Sequence, residues 1–163
     1  MLGDIVARCP SYPWRAQRVD AAGFQMARLW HQLDSQHRVM LHRLEPQEVT
    51  YAHPHPWRLA VLVLGPGLYE MKLGVGPNAR LGEHERHQPA LPITTLLTPG
   101  AQYLLEDQED AEQPSSWHAL RVTGTCYSVA VLGPEAEADA LYVDVPKVLD
   151  YVKREFARTE EGK

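Results

Sequence analysis

Apolar residues in this chain gather in short runs, and proline and glycine cut between them. Seven of the runs have strand length and are rich in β-branched or aromatic residues. They are "HRVMLHRLE" (37–45), "WRLAVLVL" (57–64), "LYEMKLGV" (68–75), "ITTLLT" (93–98), "AQYLLE" (101–106), "HALRVTG" (118–124) and "CYSVAVLG" (126–133). The Gly65-Pro66-Gly67 triplet between the second and third predicts a tight hairpin, and Gly124-Thr125 predicts another between the last two. Thirteen prolines and eleven glycines are spread along the chain rather than collected in one linker, which also favours many short strands.

Two segments have a different period. In "DVPKVLDYVKREFAR" (144–158), Val145, Val148, Leu149, Val152 and Phe156 form one stripe at helical spacing. Asp144 is placed to cap that helix, and Pro146 is tolerated in its first turn. "DAAGFQMARLWHQLDS" (20–35) fits either period. Met26, Leu29, Trp30 and Leu33 suit a helix, whereas Phe24, Met26, Arg28 and Trp30 alternate as a strand turning at Asp34-Ser35, and the strand is the reading taken. "EDQEDAEQP" (106–114) is an acidic loop, and the last residues should fray.

Length and composition narrow the class. The 163 residues suit one core, and with 44% hydrophobic and 23% charged residues the chain has ordinary globular proportions. The formal net charge is -5 and no Lys/Arg run exceeds two residues, so a phosphate-neutralising surface is not expected and nucleic acid is not a partner. No stretch approaches the roughly 20 apolar residues of a membrane span. Cys9 and Cys126 are too few for a disulfide framework and lack zinc-site spacing. "MLGDIVARCP" has neither the basic start nor the long apolar region of a signal peptide. A cytoplasmic location is the expectation.

The candidate chemistry lies in "YAHPHPWRLAVLVLGPGLYE" (51–70). In an extended chain His53 and His55 share a face, about 6.6 Å apart, close enough to hold one metal ion. The same alternation carries Trp57, Leu59, Val61 and Val63 onto that face, which makes it the interior of a sheet or barrel. Pro54 and Pro56 remove two backbone donors, so this stretch is an edge or entry loop that stiffens the two candidate ligands. His118 opens another predicted strand with Leu120 and Val122 alternating below it, and is the third candidate ligand. Three neutral imidazoles suit Fe, Zn, Cu or Ni and leave positions open for water or substrate.

"HPHPW", then "GPGLYE", "WHALRV" and "YSVAVLGP", resemble the cupin superfamily, over roughly residues 39–134. The resemblance implies an all-β fold, a double-stranded β-helix or jelly-roll barrel, here with a C-terminal α-helix and an N-terminal extension. It divides the chain into an extension packing on the barrel (1–36), the barrel (37–134) and a C-terminal helix and tail (135–163). It also implies one divalent metal at the barrel mouth, with His53, His55 and His118 in the three histidine positions. The usual glutamate ligand has no counterpart, since Leu59 and Ala60 occupy its places. The site therefore resembles the three-histidine cupins, among which thiol dioxygenases and other iron oxygenases occur.

Fe(II) is the first expectation for the ion, with Zn, Ni, Cu and Mn as alternatives. Glu70 is rejected as a substitute ligand, because a hairpin at Gly65–Gly67 would pair it near Leu62, roughly 23 Å of strand from His55. Trp57, Leu59, Val61, Tyr69 and Leu120 are expected to line the pocket, Arg58 and Arg121 to face outward, and Cys126 to be a small buried hydrophobe. His84 and His87 in "GEHERHQ" lie among Pro77, Asn78, Gly82 and Pro89 and are read as a solvated loop. His31, His37 and His42 receive no role.

The leading functional expectation is a metal-dependent cupin, a dioxygenase or other oxygenase acting on a small molecule. Its alternatives are a non-catalytic cupin that binds or senses a small ligand, and a metal-assisted isomerase. A homodimer is expected, because cupins commonly pair and a small barrel has sheet edges to cover.

Overall fold

β4 (Leu59–Leu73) and β7 (His118–Leu132) run antiparallel as the spine of the structure, with Leu59 opposite Leu132 and Leu73 opposite His118. The computed structural model describes residues 14–21, 24–47, 57–73, 93–105, 118–134 and 144–161. Each spine strand passes straight through the glycines that predict a hairpin. The Gly65–Gly67 and Gly124-Thr125 hairpins are therefore corrected: four expected strands are two long ones.

The ladder slips between Val63 and Gly65 and again between Pro66 and Leu68. Gly65 (φ 75°) and Gly124 (φ 78°) take left-handed backbone there, which bulges and bends both strands without reversing either. Gly67 lets the strands touch at the bend, since a Cβ on it would lie 2.6 Å from the Gly124 carbonyl oxygen.

The other strands attach to the two arms of this spine. β3 (Arg38–Leu44) pairs with β7 over 126–132, and β2 (Phe24–Gln32) and β1 (Arg15–Ala21) extend the sheet outward in order. β6 (Gln102–Leu105) flanks the first arm of β4, and β5 (Ile93–Leu97) flanks the second. Within 20–35 the strand reading holds over Phe24–Gln32. β1 is an element the hydrophobic pattern does not announce, and β1 and β2 are strands of the same sheet as the barrel strands.

Both faces of the central strands are covered, which is why "LAVLVL" is apolar at every position. On one face Leu29, Val39, Leu41, Ala60, Leu62, Leu64, Val129 and Val131 are buried under α1 (Val145–Glu161). The helix contributes Val148, Tyr151, Val152 and Phe156. Its start is as expected, with the Lys147 amide donating to the Asp144 carboxylate at 3.2 Å. The last turn is tied to β3, where Arg43 reaches Glu160 at 2.5 Å and Glu45 at 2.9 Å. No helix among the described residues is long and apolar enough to cross a membrane.

The opposite face is the interior of the folded sheet. Near the start of β4 it holds Met40, Leu59, Val61, Leu105, Ala130 and Leu132, with Trp30 and Tyr103 packed against them. At the bend and along the second arm it holds Leu44, Val63, Met71, Leu97, Leu120, Val122 and Cys126.

Candidate functional site

Strand alternation sorts the sequence-derived candidates. His118 pairs with Leu73 and alternates with Leu120 and Val122, so its ring belongs to the interior side of β7, where it is 2% exposed. Leu59, Val61 and Leu120 are buried on the same interior side. For Tyr69 the backbone pairing with Val122 and Leu97 is described. Trp57 stands on the outer rim, 42% exposed, over a shallow depression shared with Gln32, Ser35, Gln36, Arg38 and Leu132.

Arg121 is exposed as expected, whereas Arg58 is half-buried and donates to the Pro134 carbonyl at 3.2 Å. Cys126 is fully buried, and burial pushes its thiol up to about 11, as a small core hydrophobe requires.

His53 and His55 lie outside the described residues, as do His84 and His87. Among the described residues no group of three His, Cys, Asp or Glu side chains converges to hold a metal. Glu70 stays excluded, but for a different reason from the hairpin. It pairs with Arg121 and Leu96, and alternation sets these three on the side opposite Met71 and Leu120.

The described stretch that precedes segment 48–56 ends at Gln47, opposite Val122 on the strand that carries His118. Gln47 and Val122 exchange both backbone hydrogen bonds, at 3.1 and 3.3 Å. Val122 is four residues from His118 on the same strand, about 13 Å. His53 is six residues beyond Gln47, within about 20 Å of extended chain.

A polar row that the sequence analysis passed over crosses this interior face. In register, Gln17 of β1 lies opposite Arg28 of β2, Arg28 opposite His42 of β3, His42 opposite Ser128 of β7, and Ser128 opposite Val63 of β4. His42 is 8% exposed and Ser128 1%. The His42 Nδ1 and the Ser128 hydroxyl are 3.2 Å apart, a hydrogen bond between two buried groups.

Arg28 is half-buried; its guanidinium donates to Gln17 Oε1 and makes a weak contact with the Met40 sulfur at 3.6 Å. Its Nε is buried with no hydrogen-bond partner among the described residues. Burial first, and the neighbouring Arg38 guanidinium second, hold Arg28 below the ordinary arginine range. One signal could have found this row. Arg28 sits between Met26 and Trp30, His42 between Met40 and Leu44, and Ser128 between Cys126 and Ala130, each the lone polar residue of an apolar alternation.

With this geometry in place, solved structures give the class. The chain has the cupin fold. The polyketide cyclase RemF from Streptomyces resistomycificus is 18% identical, with 75% of each chain covered and a TM-score of 0.51. A cupin 2 conserved barrel protein from Rhodopseudomonas palustris is 11% identical over 76% of this chain and 74% of its own, with a TM-score of 0.50. KdgF from Halomonas sp. is 15% identical over 82% and 96%, with a TM-score of 0.49. No protein-family model matches the chain, and no curated protein matches it in sequence.

Proposed function

We propose that this protein is an enzyme that transforms a small organic molecule inside the barrel, at a divalent metal, Fe(II) first, held by His53, His55 and His118. The observation that carries the reading is the placement of His118. It is buried on the interior side of β7, on the arm where the Gln47–Val122 pair delivers the chain leading to the other two histidines. A buried imidazole on the same side of β7 as Leu120 and Val122 suits a nitrogen ligand. Three such ligands would leave the bound ion positions for substrate, and the ion would supply Lewis acidity or redox chemistry.

The chain's own residues do the remaining work. Leu59, Val61 and Leu120 keep bulk water from the interior, which strengthens every polar contact made there. The His42–Ser128 pair can hold a proton between Nδ1 and the hydroxyl oxygen at 3.2 Å, beneath a bound molecule. The fold shared with a polyketide cyclase supports a small organic substrate.

Elemental analysis of protein purified without an affinity tag tests the reading. The expected result is close to one metal per chain, falling at least about tenfold in both His53→Ala and His118→Ala. Wild-type protein without metal, or metal that survives both substitutions, would overturn it and favour a non-catalytic binding barrel.

A further inference from the structure

The inner side of β1, β2 and β3 carries a concentration of positive charge unusual for a chain of formal net charge -5. Arg15 pairs with Trp30, Arg28 with His42 and Arg38 with Leu132, and all three arginines fall on the side of Met40 and Ala130. None of the three forms an ion pair among the described residues. Arg28 meets Gln17 and Met40, Arg38 donates to Gln32, and the Arg15 and Arg38 guanidiniums lie over the Trp30 ring at 4.8 and 4.5 Å. On the other side of β3 the contrast is plain, because Arg43 is held by two carboxylates.

We propose that this inner surface binds the carboxylate of a small organic acid, with Arg28 as the anchor and Arg15 and Arg38 as flanking cations. Among the described residues this half-buried guanidinium faces only neutral groups and another cation, an arrangement that is costly to maintain. An anion bound to it removes that cost and gains charge-assisted hydrogen bonds. Exposure is graded to admit such a ligand: Arg15 to Arg18 on β1 are exposed, Arg28 on β2 is half-buried, and His42 and Ser128 are buried.

The charge count selects a carboxylate over a phosphate. Arg15 and Arg38 are engaged with the faces of Trp30, which leaves one guanidinium, Arg28, to meet a single planar negative charge. Arg38 also lines the rim depression under Trp57, so the cationic strip runs from the rim inward and would steer acids along it. The His42 ring and the Ser128 hydroxyl, next in the row, can receive a polar group elsewhere on the ligand. This proposal names the substrate class of the small-molecule site and rests on that reading, but it does not require the metal.

Thermal unfolding with butyrate and with its neutral counterpart butyramide, at matched ionic strength, tests it. Butyrate should raise the Tm by about 2 °C or more at saturation and butyramide should not. Arg28→Gln should abolish the butyrate shift while leaving the ligand-free Tm at or above that of the wild type, since it removes an uncompensated charge. An equal shift from butyramide, an equal shift from inorganic phosphate, a butyrate shift that survives Arg28→Gln, or a lowered ligand-free Tm in that variant would each overturn the assignment. Metal content measured on the same samples separates the two readings. A butyrate shift in metal-free protein leaves the acid site standing without the metal centre, and metal without a butyrate shift does the reverse.

Discussion

Replacing Gly67 with alanine should destabilise the protein by about 3 kcal/mol, the upper end of ordinary overpacking, and lower its Tm by roughly 6 to 12 °C. The new Cβ would sit 2.6 Å from the Gly124 carbonyl oxygen and 2.9 Å from both the Gly124 carbonyl carbon and the Thr123 carbonyl oxygen. All three are backbone atoms of β7, so no side-chain rotation relieves the clash. β4 and β7 must separate at the point where the sheet bends, which strains the arm that carries His118. Thr123→Ala, at an exposed neighbouring position, should stay within about 0.5 kcal/mol of the wild type and serves as the control. Urea unfolding of both variants checks the pair. A Gly67→Ala variant as stable as its control would mean that the two backbones do not meet there.

Phe156→Ala should cost about 3 to 5 kcal/mol, the range for deleting a buried aromatic ring. Phe156 is 4% exposed, and its ring lies 6.0 Å from the Tyr127 ring at an interplanar angle of 56°. The Arg43 guanidinium stands 5.6 Å from its centroid, so the ring holds both the sheet and the base of the Arg43 ion pairs. Those ion pairs contribute far less themselves, since Glu160 and Glu45 are 59% and 42% exposed. Glu160→Gln should therefore shift stability by under about 1 kcal/mol, and urea unfolding of the two variants should separate them clearly. Similar losses would mean that the ionic contacts, not the ring, dock the helix.

These two positions also mark what the sequence could reveal. The α1 stripe was legible because its spacing and its Asp144 cap are local, and Val148, Val152 and Phe156 lie where the 3.6-residue period puts them. The continuity of β4 was not. Gly-Pro-Gly serves a hairpin and a double bulge equally well, and the choice is made by Gly124, a partner far along the chain. β1 escaped because "RAQRVDA" is an edge strand whose residues from Arg15 to Arg18 are exposed, and such a strand needs no apolar alternation.

At the site, burial of His118 followed from its alternation with Leu120 and Val122. The Arg28–His42–Ser128 row shows in the sequence only as three separate polar positions. Each residue is one polar position in a strand that otherwise reads as core, and only the pairing of β2, β3 and β7 makes the three neighbours.

The central claim is that the ring of His118 binds a metal together with those of His53 and His55. X-ray absorption at the metal edge of the tag-free protein, loaded with Fe(II), tests it most directly. The account predicts a first coordination shell with three imidazole nitrogens in the wild type and two in His118→Ala. A spectrum that the substitution leaves unchanged, or a wild-type shell without imidazole, would contradict it.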